Sequence, residues 1–555
     1  MTGELRGTPA APGVAIGAPW IHRPPRAGAE ARLPVREAAE AASAEIEMLA
    51  ARLRESGHDA EAEILDAQAL MAVDPELIDP ARELVAAGQQ PATAVLEAGE
   101  RVALAFEALD DEILSARASD VRDVSARIVR LMSGEPPPRL ERRSVVVAVD
   151  LPPSVTVELD RELLAGIALE GGSRTSHAAI LSRSLGIPAV VAVTGLRDAA
   201  GASAELGIDG DAGLVVLDPD AEATARLAMA AGVAEDRARL DTAFGDQPLT
   251  TSDGHRLICA ANIGDPAEAV GAFAAGAEAI GLFRTEFAFA GRTTPPDEET
   301  QARAYATVLR AAGGADVVVR LVDIGGDKPV PFLAMDPEAN PFLGVRAIRL
   351  AERHPELLPT QVRAILRASI EAGRRASIMA PMVADEADLD LVLRLVDEAR
   401  SAVPDAPAPR VGLMVEVPSA VLLADRLAPR VEFMSIGTND LTQYLLAADR
   451  SNAALAARQD PLHPAVLRAV ARVVEAARRA PSCEVAVCGE MAGDPVGAQL
   501  LIGLGVGELS MEPRAFGAVK RAVAARTHLE LVAFADAAQG MRSAAQVRAS
   551  VEMPA

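Results

Sequence analysis

The sequence predicts a multidomain α/β protein. A C-terminal (β/α)8 barrel follows an α/β domain that carries an inserted α-helical bundle. Three observations point there. After Gly254, eight short apolar runs alternate with amphipathic stretches, the rhythm of a closed parallel barrel. Between residues 30 and 135 glycine almost vanishes and apolar residues recur at helical spacing. On either side of that stretch, β-branched runs punctuated by Gly and Pro read as strands and turns. At 555 residues the chain exceeds a single core and suits about three or four domains.

Residues 5–21 are rich in Gly, Pro, Ala and Val and read as short strands; Pro24 and Pro25 end them. Residues 30–135 form the bundle, with Ile46, Leu49 and Leu53, then Val121, Val124, Ile128 and Leu131, at helical intervals. Gly134 and the prolines at 136–138 close it. Residues 144–218 return to mixed character: a β-branched run at 145–149, a Gly171–Gly172 turn, an apolar helix ending at Gly186, and a strand at 188–193. Segments 1–25 and 139–219 therefore make one α/β domain split by the bundle. Residues 220–250 read as a linker helix and 251–545 as the barrel. Its strands are expected at 257–261, 279–283, 317–322, 377–379, 411–415, 433–436, 485–487 and 508–511.

Bulk properties narrow the function. A formal net charge of −25 opposes binding to a phosphate backbone, so nucleic-acid binding is not expected. An anionic small substrate would need a local arginine cluster, and an acidic surface suits a basic protein partner. Cys259, Cys483 and Cys488 form no CxxC pair, which fits a reducing compartment. No apolar leader and no run of about 20 apolar residues is present, so the expectation is a cytoplasmic protein without a membrane span.

Barrel enzymes place catalytic groups at the C-terminal ends of their strands. Here those ends carry Arg284, Thr285 and Glu286; Arg320 and Asp323; Glu416; Thr438, Asn439 and Asp440 with Arg450 beyond; and Cys488, Gly489 and Glu490. Any one of these is as readily a surface ion pair; the set is harder to dismiss. Arg284, Arg320 and Arg450 offer bidentate donors for phosphate and carboxylate. Glu416 and Asp440 are hard oxygen ligands on neighbouring strands, a donor set that suits Mg2+ sharing its shell with substrate and water. Cys488 is a candidate proton donor, although a lone cysteine is by default a small buried hydrophobe. His177 follows Thr175 and Ser176 at the start of an amphipathic helix. Ser or Thr caps helices, and free N–H groups there favour a phosphoryl group. Alone, such a histidine would be read as a polar helix-start residue.

At these residues the sequence resembles the Enzyme I family of the bacterial phosphoenolpyruvate:sugar phosphotransferase system. The resemblance rests on TSHAAILSRSLGIPAVV, GLFRTEF, VRLVDIGGDK, NPFLGVRAIR, MVEVP, EFMSIGTNDLTQYLLAADR and CGEMAG, and it spans essentially the whole chain. It implies a phosphoenolpyruvate-protein phosphotransferase. His177 would be phosphorylated at Nε2. Arg284, Arg320, Arg450 and Asn439, with the Asp440 backbone, would bind phosphoenolpyruvate, assisted by Arg346 and Lys328. Glu416 and Asp440 would hold Mg2+, and Cys488 would protonate the enolate. The segment holding His177 would be a swivelling phosphohistidine domain, with its hinge in residues 220–242. The helical insert would dock a histidine phosphocarrier protein (HPr-like), and the barrel would pair into a homodimer.

For docking, residues 61–84 carry Glu61, Glu63, Asp66, Asp74, Glu76, Asp79 and Glu83 against Arg82 alone, with Leu70, Met71 and Leu77 as apolar anchors. A solvated acidic helix face is the alternative reading. Three positions depart from the family pattern: Ser173 where a small residue, mostly Gly, precedes the histidine element, Leu321 for a common Thr, and Val345 for a common Trp. The related nucleotide-linked enzymes, pyruvate phosphate dikinase and phosphoenolpyruvate synthase, need a further nucleotide-binding domain for which this chain has no room. A non-catalytic regulatory relative fits poorly with His177, Glu416, Asp440 and Cys488 all present.

Overall fold

The computed structural model describes residues 3–550 except 24–29, 56–58, 108–111, 173–175, 290–291, 329, 334, 336–337, 451, 453–454, 456–457 and 481. The chain divides into two compact units, Met1–Asp236 and Arg237–Ala555. No helix among the described residues is long and apolar enough to cross a membrane.

The first unit holds an eight-stranded sheet made of β1 (Gly3–Arg6), β2 (Thr8–Ala11), β3 (Val14–Ile21), β4 (Ser144–Ala148), β5 (Leu164–Leu169), β6 (Ala189–Val191), β7 (Leu206–Asp209) and β8 (Leu214–Leu217), in the order β1-β8-β7-β3-β4-β5-β6-β2. The run β3-β4-β5-β6 is parallel and the flanking pairs are antiparallel. β4 and β5 are buried along their whole length, so they read as unbroken apolar runs rather than alternating ones. The five helices Val35–Glu55, Asp59–Ala72, Pro75–Ala86, Pro91–Glu107 and Glu112–Ser133 leave the sheet after β3 and return at β4, which pair directly. Their core is built from Ile46, Leu49, Leu53, Leu65, Val95, Val124, Ile128 and Met132, the residues that helical spacing places on one stripe.

The second unit is a closed parallel barrel of β9 (Ile258–Ile263), β10 (Ala279–Phe283), β11 (Val317–Arg320), β12 (Ser377–Ala380), β13 (Arg410–Val415), β14 (Phe433–Ile436), β15 (Glu484–Val487) and β16 (Glu508–Met511). Every strand falls where the apolar runs place it. β11 ends at Arg320 rather than 322, because the chain turns there into a loop carrying polar side chains. One large core joins the outward faces of the strands to the surrounding helices, and a smaller one, Leu282, Val318, Met379, Met414, Phe433 and Cys488, lies inside the barrel. The helix Ala221–Gly245 occupies most of the expected linker segment.

Candidate active site

Polar side chains gather at the C-terminal rim of the barrel. Arg320, the last residue of β11, donates to Glu286, whose carboxylate also accepts the Asp323 N–H at 3.0 Å. Asp323 is buried. It meets Lys328 Nζ at 2.7 Å, both Nε and Nη2 of Arg346 at 2.9 and 2.7 Å, and Arg320 Nη1 at 3.7 Å. Burial alone would push the Asp323 carboxyl up; Arg320, Lys328 and Arg346 together overcome it and hold the group well below the usual carboxylate range. Burial disfavours the Arg320 and Arg346 cations as well. Glu286 and Asp323 outweigh it for Arg320, and Asp323, Asp440 and Asp327 do so for Arg346. The turn that returns Lys328 and Arg346 to Asp323 needs glycine at 325: φ is +91°, and a Cβ would lie 2.5 Å from the Val345 carbonyl.

Glu416 follows β13 directly and is buried, with one oxygen accepting the Met382 N–H at 2.7 Å. Burial, then repulsion from Asp440 and Asp323, pushes its carboxyl up to about 8, against the pull of Arg320 and the Met382 amide. Asp440 lies in the first turn of the helix Thr438–Leu446, 3.4 Å from Arg346 Nη1 and 3.5 Å from Arg450 Nη1. A Cβ on Gly437 would come 2.9 Å from Glu416 Oε2, so glycine leaves that oxygen open. A buried carboxylate raised by a second one is a place short of positive charge, and its hard oxygens fit a divalent cation. Among the described residues no three or more His, Cys, Asp and Glu cluster as a metal cage. Glu416 and Asp440 offer only a few oxygens, and a cation held there would complete its shell with substrate and water.

The remaining rim residues differ in exposure. Arg284 is exposed, forms no ion pair with a described residue, and lies close enough to favour the Cys488 thiolate. Arg450 contacts Asp327 at 3.3 Å and rests on the Phe342 ring at 4.8 Å. Asn439 and Glu490 exchange hydrogen bonds of 3.1 and 2.9 Å between the ends of β14 and β15. Cys488 is buried; burial, reinforced by the Glu416 carboxylate, pushes its thiol up to about 11, against the pull of Ser435, Arg320 and Arg284. A cavity of about 530 Å³ lined by Phe342, Met382, Gln443 and Tyr444 adjoins these groups.

The structure thus brings Arg320, Lys328, Arg346, Glu416, Asp440, Arg450 and Cys488 to one rim. Arg346 is wholly buried and its donors are spent on Asp323, Asp327 and Asp440. Two participants carried no recognisable signal in the sequence. Asp327 bridges Arg346 and Arg450. Gln361, on the helix Leu357–Ala372, accepts the Val322 N–H and donates to Thr285 Oγ1 and Tyr305 Oη, while Thr285 binds the Arg320 carbonyl. The GGDK block pointed to Asp327's loop only; a glutamine on an amphipathic helix gives no hint of its partner.

In the first unit, the helix His177–Ser184 begins at the expected histidine, with Ser176 extended at the N-cap position. The His177 side chain, Ser173 and Thr175 lie outside the described residues. On the bundle, Asp74 caps the helix Pro75–Ala86 by accepting the Glu76 N–H at 2.8 Å. Glu76, Asp79 and Glu83 are exposed, and Leu70 is 73% exposed. Leu77 does not serve as a surface anchor: it is buried in the bundle core, because the helix turns that face inward. The side chains of Glu61 and Glu63 lie outside the described residues.

The chain matches three family models: the PEP-utilising enzyme N-terminal domain over residues 6–117, the mobile domain over 140–213 and the PEP-binding domain over 238–528. It is 41% identical over 568 residues to the phosphoenolpyruvate-protein phosphotransferase of Streptomyces coelicolor, covering 100% of this chain and 99% of that one. To the protein of the same name from Bacillus subtilis it is 38% identical over 517 residues, covering 90% and 89%. It is also 42% identical over 481 residues to the multiphosphoryl transfer protein of Rhodobacter capsulatus; there it covers 86% of this chain but spans only 57% of the relative.

Proposed function

Because this chain belongs to the PEP-utilising enzyme family, as one of its phosphoenolpyruvate-protein phosphotransferases, we propose that the barrel rim binds phosphoenolpyruvate and passes its phosphoryl group to His177, from which a histidine phosphocarrier protein collects it. The observation that carries this reading is the rim itself: a repelling carboxylate pair, arginines around it, and a buried thiol at the same strand ends. Arg284, Arg320 and Arg450 orient the phosphate and carboxylate of the substrate and spread the charge of the transferring group. Asn439 and the Asp440 backbone complete the grip. Lys328 and Arg346, committed to Asp323, hold the loop that shapes the site. Mg2+, held by Glu416 and Asp440, would supply the charge neutralisation that two facing carboxylates and an anionic substrate require.

His177 Nε2 takes the phosphoryl group, so one hard transfer becomes two easier ones. As the enolate leaves, Cys488 gives its proton to the methylene carbon and pyruvate departs. A thiol held near pKa 11 by burial stays protonated at neutral pH, as a proton donor must. The exposed acids Glu76, Asp79 and Glu83 beside Leu70 support docking of a basic carrier. A pairing of two copies through residues 251–545 belongs to the same reading. Purified protein given labelled phosphoenolpyruvate and magnesium should acquire acid-labile label, and His177→Ala should acquire none. Label on the His177→Ala protein at the normal level would sink the proposal.

A further inference from the structure

The inside of a (β/α)8 barrel is normally packed with layers of bulky side chains. Here a cavity of about 390 Å³ opens at the N-terminal mouth, opposite the rim, and reaches inward as far as Ser435. Its mouth is formed by first residues of strands: Arg410, Glu484 and Glu508, beside Asp316 and Arg478. Arg410 is tied to Asp316 at 3.0 Å, to Glu432 at 3.8 Å and to Glu484, and lies 5.4 Å from the centre of the Phe433 ring. Glu508 is different. Its carboxyl makes no hydrogen bond or ion pair with a described residue and reaches across to β10. A Cβ on Gly281 would sit 2.5 Å from Glu508 Oε1, so the missing side chain at 281 is what admits the acid. Gly281 and Ala486, where larger residues would fill the layer, line the cavity instead.

At the inner end stands Ser435. Its hydroxyl is buried, with no formed hydrogen bond. It lies beside Cys488: Ser435 is on β14 opposite Ala486, and Cys488 directly follows the adjacent β15, its N–H bonded to the Ile436 carbonyl at 3.1 Å. Ser435 is also the neighbour that most favours the Cys488 thiolate. The hydroxyl is thus near the sulfur but not aligned with it at rest. The thiol's own acceptor, the Ile436 carbonyl, is 3.8 Å away.

We propose that this cavity is a water-filled path along which Glu508 and Ser435 return a proton from the N-terminal mouth to Cys488 after each turnover. The proposal rests on the reading of Cys488 as the enolate's proton donor. In that step the S–H bond breaks, its electron pair stays on sulfur, and the proton joins the methylene carbon. Ser435 then gives its hydroxyl proton to the thiolate and takes one from cavity water. The carboxyl of Glu508 resupplies that water and is recharged by solvent at the mouth. The net transfer is one proton from solvent to the pyruvate methyl. A cavity of that size admits several water molecules. Burial, with Asp316 and Glu484 adding to it and Arg410 opposing, pushes the Glu508 carboxyl up to about 7, so at neutral pH it both gives and recovers a proton.

The test is rapid-quench measurement of pyruvate from the full chain, with magnesium, phosphoenolpyruvate and saturating histidine phosphocarrier protein. Cys488 enters the first turnover already protonated. Glu508→Gln should therefore make the first pyruvate at the parent rate and later ones about tenfold more slowly or worse; Ser435→Ala, which also removes a hydroxyl that favours the thiolate, should slow later turnovers more than the first. Formate or imidazole added to the buffer should restore the Glu508→Gln rate. Equal slowing of first and later turnovers would assign these residues to packing and overturn the path, as would no slowing at all. Ser435→Ala deletes only a hydroxyl without a formed bond, so its fold should be intact. Cys488→Ala separates the two layers. If it makes pyruvate normally, the donor assignment fails and the path with it. If it makes none while both other variants turn over normally, the path alone fails.

Discussion

Glu416 sits where burial, Asp440 and Asp323 all oppose its charge. A carboxyl raised from an unfolded value of about 4.3 keeps a proton that the unfolded chain has already released. Between about pH 4.3 and the folded value of about 8 the unfolded state thus binds fewer protons, and stability falls as pH rises. The contribution is full below that window and gone above it. In metal-free protein Glu416→Gln should therefore gain thermal stability over the parent as pH climbs from 5 to 8, read as the difference between their Tm values. Magnesium should stabilise the parent more at pH 8 than at pH 6, because a cation relieves the same repulsion the proton relieves. A Tm difference independent of pH would remove Glu416 from the carboxylate pair. Asp323 behaves in the opposite sense: its depressed carboxyl stabilises above the ordinary carboxylate range and loses that contribution only in acid.

One helix and one strand set the position of the arginine-bearing edge. The helix Leu357–Ala372 buries Gln361, which pins the Val322 amide and, through Thr285, the Arg320 carbonyl. Gln361→Leu fills similar space but leaves the buried Val322 N–H unpaired, at about 1–3 kcal/mol, and takes a donor away from Thr285 Oγ1 and Tyr305 Oη. Urea unfolding should register that loss. Because β11 would be freed just where Arg320 leaves it, KM for phosphoenolpyruvate should rise more than kcat falls. Gln361→Glu keeps the acceptor for Val322 and should recover part of the affinity; no difference between the Leu and Glu variants would argue that only volume matters here. At this scale the strands were legible because a buried parallel strand is a short apolar run whatever surrounds it. The Gln361 contact was not, since helical spacing reports which face is inward, not which atom waits there.

At the scale of the whole chain, each unit has its own core: the bundle and sheet cores lie within Met1–Asp236, and the barrel core within Arg237–Ala555. Separate cores unfold as separate cooperative blocks. Calorimetry should resolve two transitions, and phosphoenolpyruvate with magnesium should raise only the one belonging to the barrel; a shift of both by the same amount would contradict independent blocks. The sequence by itself determined the fold class, the order of the barrel strands and the family, because apolar periodicity and ordered motif blocks are properties of neighbouring residues. It also marked Arg320, Glu416, Asp440 and Cys488 as strand-end residues. Only the tertiary structure decided that Arg346 is enclosed by Asp323, Asp327 and Asp440, that Leu77 faces inward, and that Glu508 projects over Gly281 into a cavity below Ser435. Those outcomes depend on which strand ends and helix faces close upon one another, and charge pairing and desolvation across a barrel arise between residues far apart in the chain.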